Sequence, residues 1–307
     1  MKPQPWPLLK YEDYKETMSF VHMLSQIVGK IRLVKMPWFN HSWHTSLYIH
    51  PNGFTTGSIP DGHRMFEIKL DFVNHQLCMS DSNGNMKNIP LKSDTIAHYY
   101  SEIFNTLTSF NIDASIYASP NEIDPSLPFA TDNRDQVYDP EQMKKLWHAF
   151  ICVHNVFTEF RAKFIGKCSP VHLFWGAFDL AVTRFSGETA PAHPGGMPNM
   201  PLKVMQEAYS HEVSSAGFWP GNEQFQQPAF YSYCYPSSPE FGKQDVKPSE
   251  AFYSEDMGEY FLTYDTVQAS SDPEKTLMDF LQTTYVAATK VGKWDRENLE
   301  FDFSEFK

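Results

Sequence analysis

The run VHLFWGAFDLAVTRFSG, residues 171–187, decides how the rest of this 307-residue chain is read. Two apolar arms flank Gly176-Ala177, which predicts an antiparallel hairpin turning there. In that register Phe174 pairs with Asp179 and His172 with Ala181, and cross-strand partners share a face. His172 and Asp179 become diagonal neighbours on one face, with Thr183 further along. Leu173, Trp175, Leu180 and Val182 pack on the other.

The same strand grammar extends outward. FEIKLDF at 66–72 alternates apolar with charged residues and predicts a half-buried strand. PAFYSYCY (228–235) and EYFLTYDTV (259–267) predict aromatic strands, and KIRLVKMP (30–37), WHTSLYI (43–49) and IDASIYA (112–118) read as further strands. QEAYSHEVSS (206–215) fits a strand better than a short helix. Helical spacing marks 11–28, closed by Gly29 as C-cap, then 92–109 with Ser93 as N-cap, 140–165, and 273–293 opening at Asp272-Pro273. Residues 118–139 are rich in Pro, Asp and Asn and make the best boundary. They divide a first α+β half, 1–125, from a second, 126–307, which carries the candidate site. QIVGKIRLV (26–34) and KFIGKCSPV (163–171) both read as helix end, Gly-Lys, strand, which points to an internal duplication. The expected fold is α+β, a largely antiparallel twisted sheet with long helices, with the two halves as candidates for a pseudo-twofold pair.

Composition limits the partners. Lys and Arg total 25 against 37 Asp and Glu, a formal charge of −12, so nucleic acid and anionic membrane surfaces are disfavoured. Aromatic residues make up 15%, enough to build both a core and a pocket wall. The 4 cysteines are scattered without metal-ligand spacing, which reads as reduced packing residues and a cytoplasmic protein. No apolar run long enough for a signal peptide or a membrane span is present.

The chemistry-bearing residues concentrate in the second half. His172 beside Asp179 in an apolar hairpin reads as an oriented general base, as two metal ligands, or as a core histidine hydrogen-bonded by its neighbour. Glu207 and His211 fall together whether their segment is helix or strand, and a strand adds Tyr209 to the same face. With His172 they form a candidate set of two histidines and one carboxylate for a divalent metal. Arg184 reads as a clamp for a substrate anion or as an ion-pair partner of an acidic residue. Trp219 with Tyr231, Tyr233 and Tyr235 reads as a pocket wall or as core with hydroxyls at the rim. His41 and His44 are spaced for a turn-borne metal site or as two exposed loop histidines. Walker, GxGxxG, GxSxG and HExxH motifs are absent, so no nucleotide cofactor is implied.

GKIRLVKMPWFNHSWHTSLYI, SPVHLFWGAFDLAVTRFSG, EAYSHEVSSAGFWPG, FYSYCYP and TYVAATKVGKWDRENLE together resemble a bacterial family, domain of unknown function 5996. The resemblance spans nearly the whole chain. It implies no activity, cofactor or site residue, so function is read from residue chemistry. The leading expectation is a small-molecule enzyme. His172 or His211 is its base or metal ligand, and Asp179 and Glu207 orient or coordinate. Arg184 fixes an anionic group, and Trp219, Tyr209 and Tyr233 line the pocket. At least three of His172, Asp179, Glu207 and His211 are expected at one polar centre. The rival is a non-catalytic ligand-binding or assembly protein using the same aromatic cleft.

Overall fold

The computed structural model describes residues 6–123, 125–196, 200–301 and 306. Its first helix, α1 (Tyr11–Lys35), runs straight through Gly29. The glycine serves a close approach: the indole of Trp175 fills the space where a Cβ would stand. The predicted strand at 30–37 is therefore helix, and α1 stops just short of Pro37, as the backbone ahead of proline favours.

Six short strands follow: β1 (Tyr48–His50), β2 (Gly53–Thr55), β3 (Ile59–Asp61), β4 (Arg64–Asp71), β5 (Gln76–Asp81) and β6 (Met86–Pro90). They form an antiparallel sheet in the order β1-β2-β4-β5-β6, with β3 also paired to β4. The alternation foreseen at 66–72 holds, with Phe66, Ile68 and Leu70 buried between partly exposed Glu67 and Lys69. Helix α2 (Ile96–Ser109) comes next and is capped by the Thr95 side chain, not by Ser93. Residues 112–118, expected as a strand, run as irregular chain into the Pro/Asp-rich connection.

Helix α3 (Pro140–Ala162) opens as its sequence demands. Asp139 accepts from the amides of Glu141 and Gln142, and Pro140 occupies the first turn. The second sheet comprises β7 (His172–Phe174), β8 (Asp179–Thr189), β9 (His211–Trp219), β10 (Ala229–Tyr235), β11 (Phe252–Ser254) and β12 (Glu259–Thr263). Its order is β11-β12-β10-β9-β8-β7, antiparallel throughout. The hairpin register is the predicted one, His172 opposite Ala181 and Phe174 opposite Asp179. The 206–215 segment is split: helix α4 (Leu202–Ala208) ends before β9 begins. The chain closes with α5 (Tyr264–Gln268), α6 (Pro273–Gly292), capped by Asp272, and α7 (Arg296–Leu299).

Leu47 and Leu173 exchange backbone hydrogen bonds of 2.9 and 2.8 Å, which joins the inner margins of the two sheets. Helix α1 packs between α2 and α3, α3 packs on α6, and α3 and α6 cover the apolar face of the second sheet. One hydrophobic core runs through both halves. Each sheet is preceded by a long helix and followed by another, but the strand orders differ: in the second sheet β10 pairs with β12 and β11 lies at the edge. The Gly-Lys motif behind the duplication reading is not shared: Gly29 lies inside α1, whereas Gly166 lies beyond the end of α3. All four cysteines are free thiols, buried or half-buried.

Candidate functional site

Strand pairing in the second sheet lines up two rows across its open face. One row is Ala181, Gly217 and Tyr231; the next is Thr183, Ser215 and Tyr233. On the opposite face Leu180, Phe218, Phe230 and Leu262 are fully buried under the helices. On the first face Thr183, Tyr231, Tyr233 and Phe174 keep partial solvent exposure. Tyr231 and Tyr233 nonetheless sit so deep that burial drives both hydroxyls well above the usual tyrosine range.

Asp179 stands at the end of this face and is only 7% exposed. Tyr231 of β10 crosses over Gly217 of β9 and donates its hydroxyl hydrogen to the Asp179 carboxyl on β8. Burial raises Asp179 to about 6 in spite of that bond, which by itself lowers it. Two further carboxyls feel its charge. Glu122 is raised to about 7, first by burial and then by Asp179, and so is Glu259 at the start of β12. Glu122 arrives on the connection between the halves with a left-handed backbone, φ 58°, and its carboxyl occupies the space left free by the absent side chain of Gly176. None of the three carboxyls forms an ion pair among the described residues.

Hydroxyls extend the polar face. The Tyr209 and Tyr233 hydroxyls are 2.9 Å apart, and those of Thr183 and Ser215 are 2.8 Å apart. His193 stacks on Tyr209 with ring centroids 4.7 Å apart, and Trp219, level with Asp179, stacks on Phe225 at 5.8 Å. Of the aromatic residues expected as a pocket wall, Tyr231 contacts Asp179, Tyr209 and Tyr233 bond to each other, and Trp219 stacks on Phe225.

His172 shares this face, as the hairpin register requires, but does not touch Asp179. It is fully buried, and burial lowers it to about 3, so the ring is neutral. Its Nδ1 lies 3.1 Å from Ser46 Oγ, and Ser46 also donates to the carbonyl of Trp43 at 3.1 Å. A carbonyl only accepts, so the single Ser46 hydrogen goes there and the imidazole must donate from Nδ1. Nε2 is left as an acceptor, buried without a partner.

The remaining candidates lie elsewhere. Arg184 points to the helix-covered face. Its guanidinium lies 3.5 Å from the centre of the Phe160 ring and 4.3 Å from that of Tyr285, and Nη2 donates to the Phe160 carbonyl. Burial lowers it to about 10, and it lies on the opposite face of the sheet from Asp179. Glu207 and His211 belong to a separate clasp. Glu207 Oε1 accepts from the His41 amide at 2.7 Å, and the His41 Nδ1–H donates to the Ala208 carbonyl at 2.9 Å. Lys167 donates to His41 Nε2, and the His211 ring centre is 5.9 Å from that of His41. Gly217 is level with His172 through Ala181, and His211 lies six residues beyond it on β9. At about 3.3 Å per residue the two histidines are roughly 20 Å apart. His172, Asp179, Glu207 and His211 thus divide among three places. Among the described residues no group of three His, Cys, Asp or Glu is arranged to hold a metal, and His172, His211 and Glu207 do not form one. His41 and His44 are buried, at 5% and 1% exposure, instead of lying on an open loop.

Sequence reading missed Glu122, Glu259 and Lys30. Lys30 is 4% exposed, lies over the Trp175 ring and donates to Asn121, one residue before Glu122. Burial lowers it to about 8. Only Glu259 had a readable signal, since it opens an aromatic strand on the same alternation as Phe261.

A family model described as a family of unknown function (DUF5996) matches residues 6–301. No curated protein and no solved structure matches the chain. Among the described residues no helix is long and apolar enough to cross a membrane.

Proposed function

The chain belongs to the DUF5996 family, whose function is unknown, and we propose from its own geometry that it is a small-molecule enzyme using the Asp179 carboxyl as its acid–base group. The observation that carries this reading is Asp179, buried and without an ion pair among the described residues, with the partly exposed Glu122 and Glu259 within its electrostatic reach; we read the partly exposed face beside it as a cleft. Asp179 at about 6 with Glu122 and Glu259 at about 7 keeps protons exchangeable near neutral pH. Tyr231 fixes the orientation of the Asp179 carboxyl, and the Tyr209–Tyr233 pair supplies donors beside it. The histidines expected as base are replaced in that role: His172 is too far depressed to gain a proton near neutrality, and His211 sits in the clasp.

The test uses the full chain and an Asp179→Asn variant, each incubated with a small-molecule cell extract and compared by mass spectrometry. At least one compound should be consumed and replaced by a product with the native chain and not with the folded variant. Identical extracts would overturn the enzyme reading. A compound that is retained by the native chain and recovered unchanged on denaturation would establish the non-catalytic binder in its place.

A further inference from the structure

We propose that Lys167 is a nucleophilic amine that captures a small aldehyde or ketone as a Schiff base, with His41 as its proton shuttle. The site is separate from Asp179. Phe185, whose ring lies under the Lys167 amine, is six residues further along β8, roughly 20 Å away at about 3.3 Å per residue. The first observation is how the amine is held. Lys167 lies just beyond α3, and its carbonyl accepts from the Phe185 amide at 3.0 Å, which fixes its backbone beside β8. The ammonium is 5.0 Å from the centre of the Phe185 ring and 5.9 Å from that of Trp43. Among the described residues it forms no ion pair, and its hydrogen bond goes to an imidazole nitrogen, His41 Nε2. Burial lowers the Lys167 amine, which raises the share of its nucleophilic, uncharged form. Lys167, Trp43 and His211 all keep partial exposure, so a small molecule can approach from solvent.

The second observation is His41. Its Nδ1 lies 2.9 Å from the Ala208 carbonyl, and a carbonyl only accepts. The ring hydrogen is therefore on Nδ1, and the lone pair on Nε2 faces Lys167. Burial first keeps this imidazole neutral, and the charges of Lys167 and His211 add to that. His41 and the next residue, Ser42, both take the left-handed backbone, at φ 56° and 58°, a conformation that residues with side chains avoid. Glu207 accepts from the His41 amide at 2.7 Å and helps to hold the turn. Strain maintained by surrounding bonds at a lysine–histidine pair is characteristic of a positioned reacting group. The step balances. His41 takes a proton from the ammonium as the amine adds to the carbonyl carbon, and the carbonyl oxygen picks up a second amine hydrogen. His41 then returns its proton to that hydroxyl, which leaves as water, and a protonated imine remains. The imine keeps a positive charge over the Phe185 and Trp43 rings, whereas acylation would cancel it. The site thus favours carbonyl compounds over acyl donors.

The experiment treats the full chain with an equimolar amount of benzaldehyde, reduces with sodium borohydride, and maps the benzylated lysines by peptide mass spectrometry. Lys167 should carry at least about 10-fold more adduct than any other lysine. Lys167→Arg keeps the charge and should lose that selective adduct with the fold unchanged by circular dichroism. His41→Asn removes the base and keeps a residue that tolerates the left-handed turn, and it should slow labelling of Lys167 about 100-fold. An acyl probe, the N-hydroxysuccinimide ester of acetic acid, should show no preference for Lys167. Adduct spread evenly over the lysines of the native chain would overturn the proposal, and that result needs no variant to fold. Equal selection of Lys167 by the ester would overturn the carbonyl class. Unchanged labelling in folded His41→Asn would overturn the shuttle. None of these outcomes bears on Asp179, which the extract comparison tests separately.

Discussion

The ring of Tyr231 occupies the space above Gly217 that any other side chain there would fill. That vacancy on the middle strand lets a tyrosine on β10 reach a carboxylate on β8, two strands away. Gly217→Ala should therefore displace Tyr231 and break its bond to Asp179. The expected loss of stability is about 1–3 kcal/mol, the usual cost of overpacking, read by urea denaturation. An unchanged midpoint would show that the tyrosine does not depend on the gap.

Asp179 is raised in the folded chain, from its ordinary 3.8 to about 6, so the folded state holds the proton more tightly than the unfolded state. The sign follows: between those values the native chain binds more protons, and stability falls as pH rises through them. Glu122 and Glu259 extend the same trend towards pH 7. Asp179→Asn keeps an acceptor for Tyr231 and removes the charge. It should raise stability at pH 8 by about 2 kcal/mol and leave it nearly unchanged at pH 4. Melting curves at the two pH values check this, and a variant less stable than native at pH 8 would assign the carboxyl a structural role.

Arg184 serves packing on the opposite face, between Phe160 and Tyr285. Arg184→Met retains most of the volume and removes a buried charge, so it should cost about 1 kcal/mol or less. Arg184→Ala leaves a cavity and should cost about 3 kcal/mol. Ligand binding in the cleft should be unchanged in Arg184→Met. A selective loss of anion binding there would return Arg184 to the site.

The Glu207 carboxylate ties α4 to the turn at His41, with Oε1 on the His41 amide and Oε2 buried without a partner. Glu207→Ala should destabilise the chain by about 1–2 kcal/mol by orphaning that amide. Metal content by elemental analysis should not differ between this variant and the native chain. A metal lost with Glu207 would reinstate it as a ligand.

The hairpin at 171–187 was readable because alternation and a small-residue turn fix register locally, and that register put Asp179 on the correct face. The end of α1 was misread because Gly29 serves a contact with Trp175, about 146 positions away, and no local pattern announces such a partner. Tyr209 and His211 were grouped because they are close in sequence, but a change from helix to strand between them sends one to the cleft and the other to the clasp. Glu122 was invisible for a different reason. It sits in an irregular segment whose position is set by Gln26, which both donates to the Asn121 carbonyl and accepts from its amide, at 2.7 and 2.8 Å.

The paired backbones of Leu47 and Leu173 also impose an order on synthesis. A ribosome making about 5–20 residues per second needs roughly 6–25 s to add the 126 residues that separate them. Once Pro90 has been added within that interval, all strands of the first sheet exist while its inner margin is still bare, open to any extended chain nearby. The nascent protein therefore passes through a window in which a chaperone, or a rival strand from a neighbouring polysome product, can occupy the place that β7 later takes.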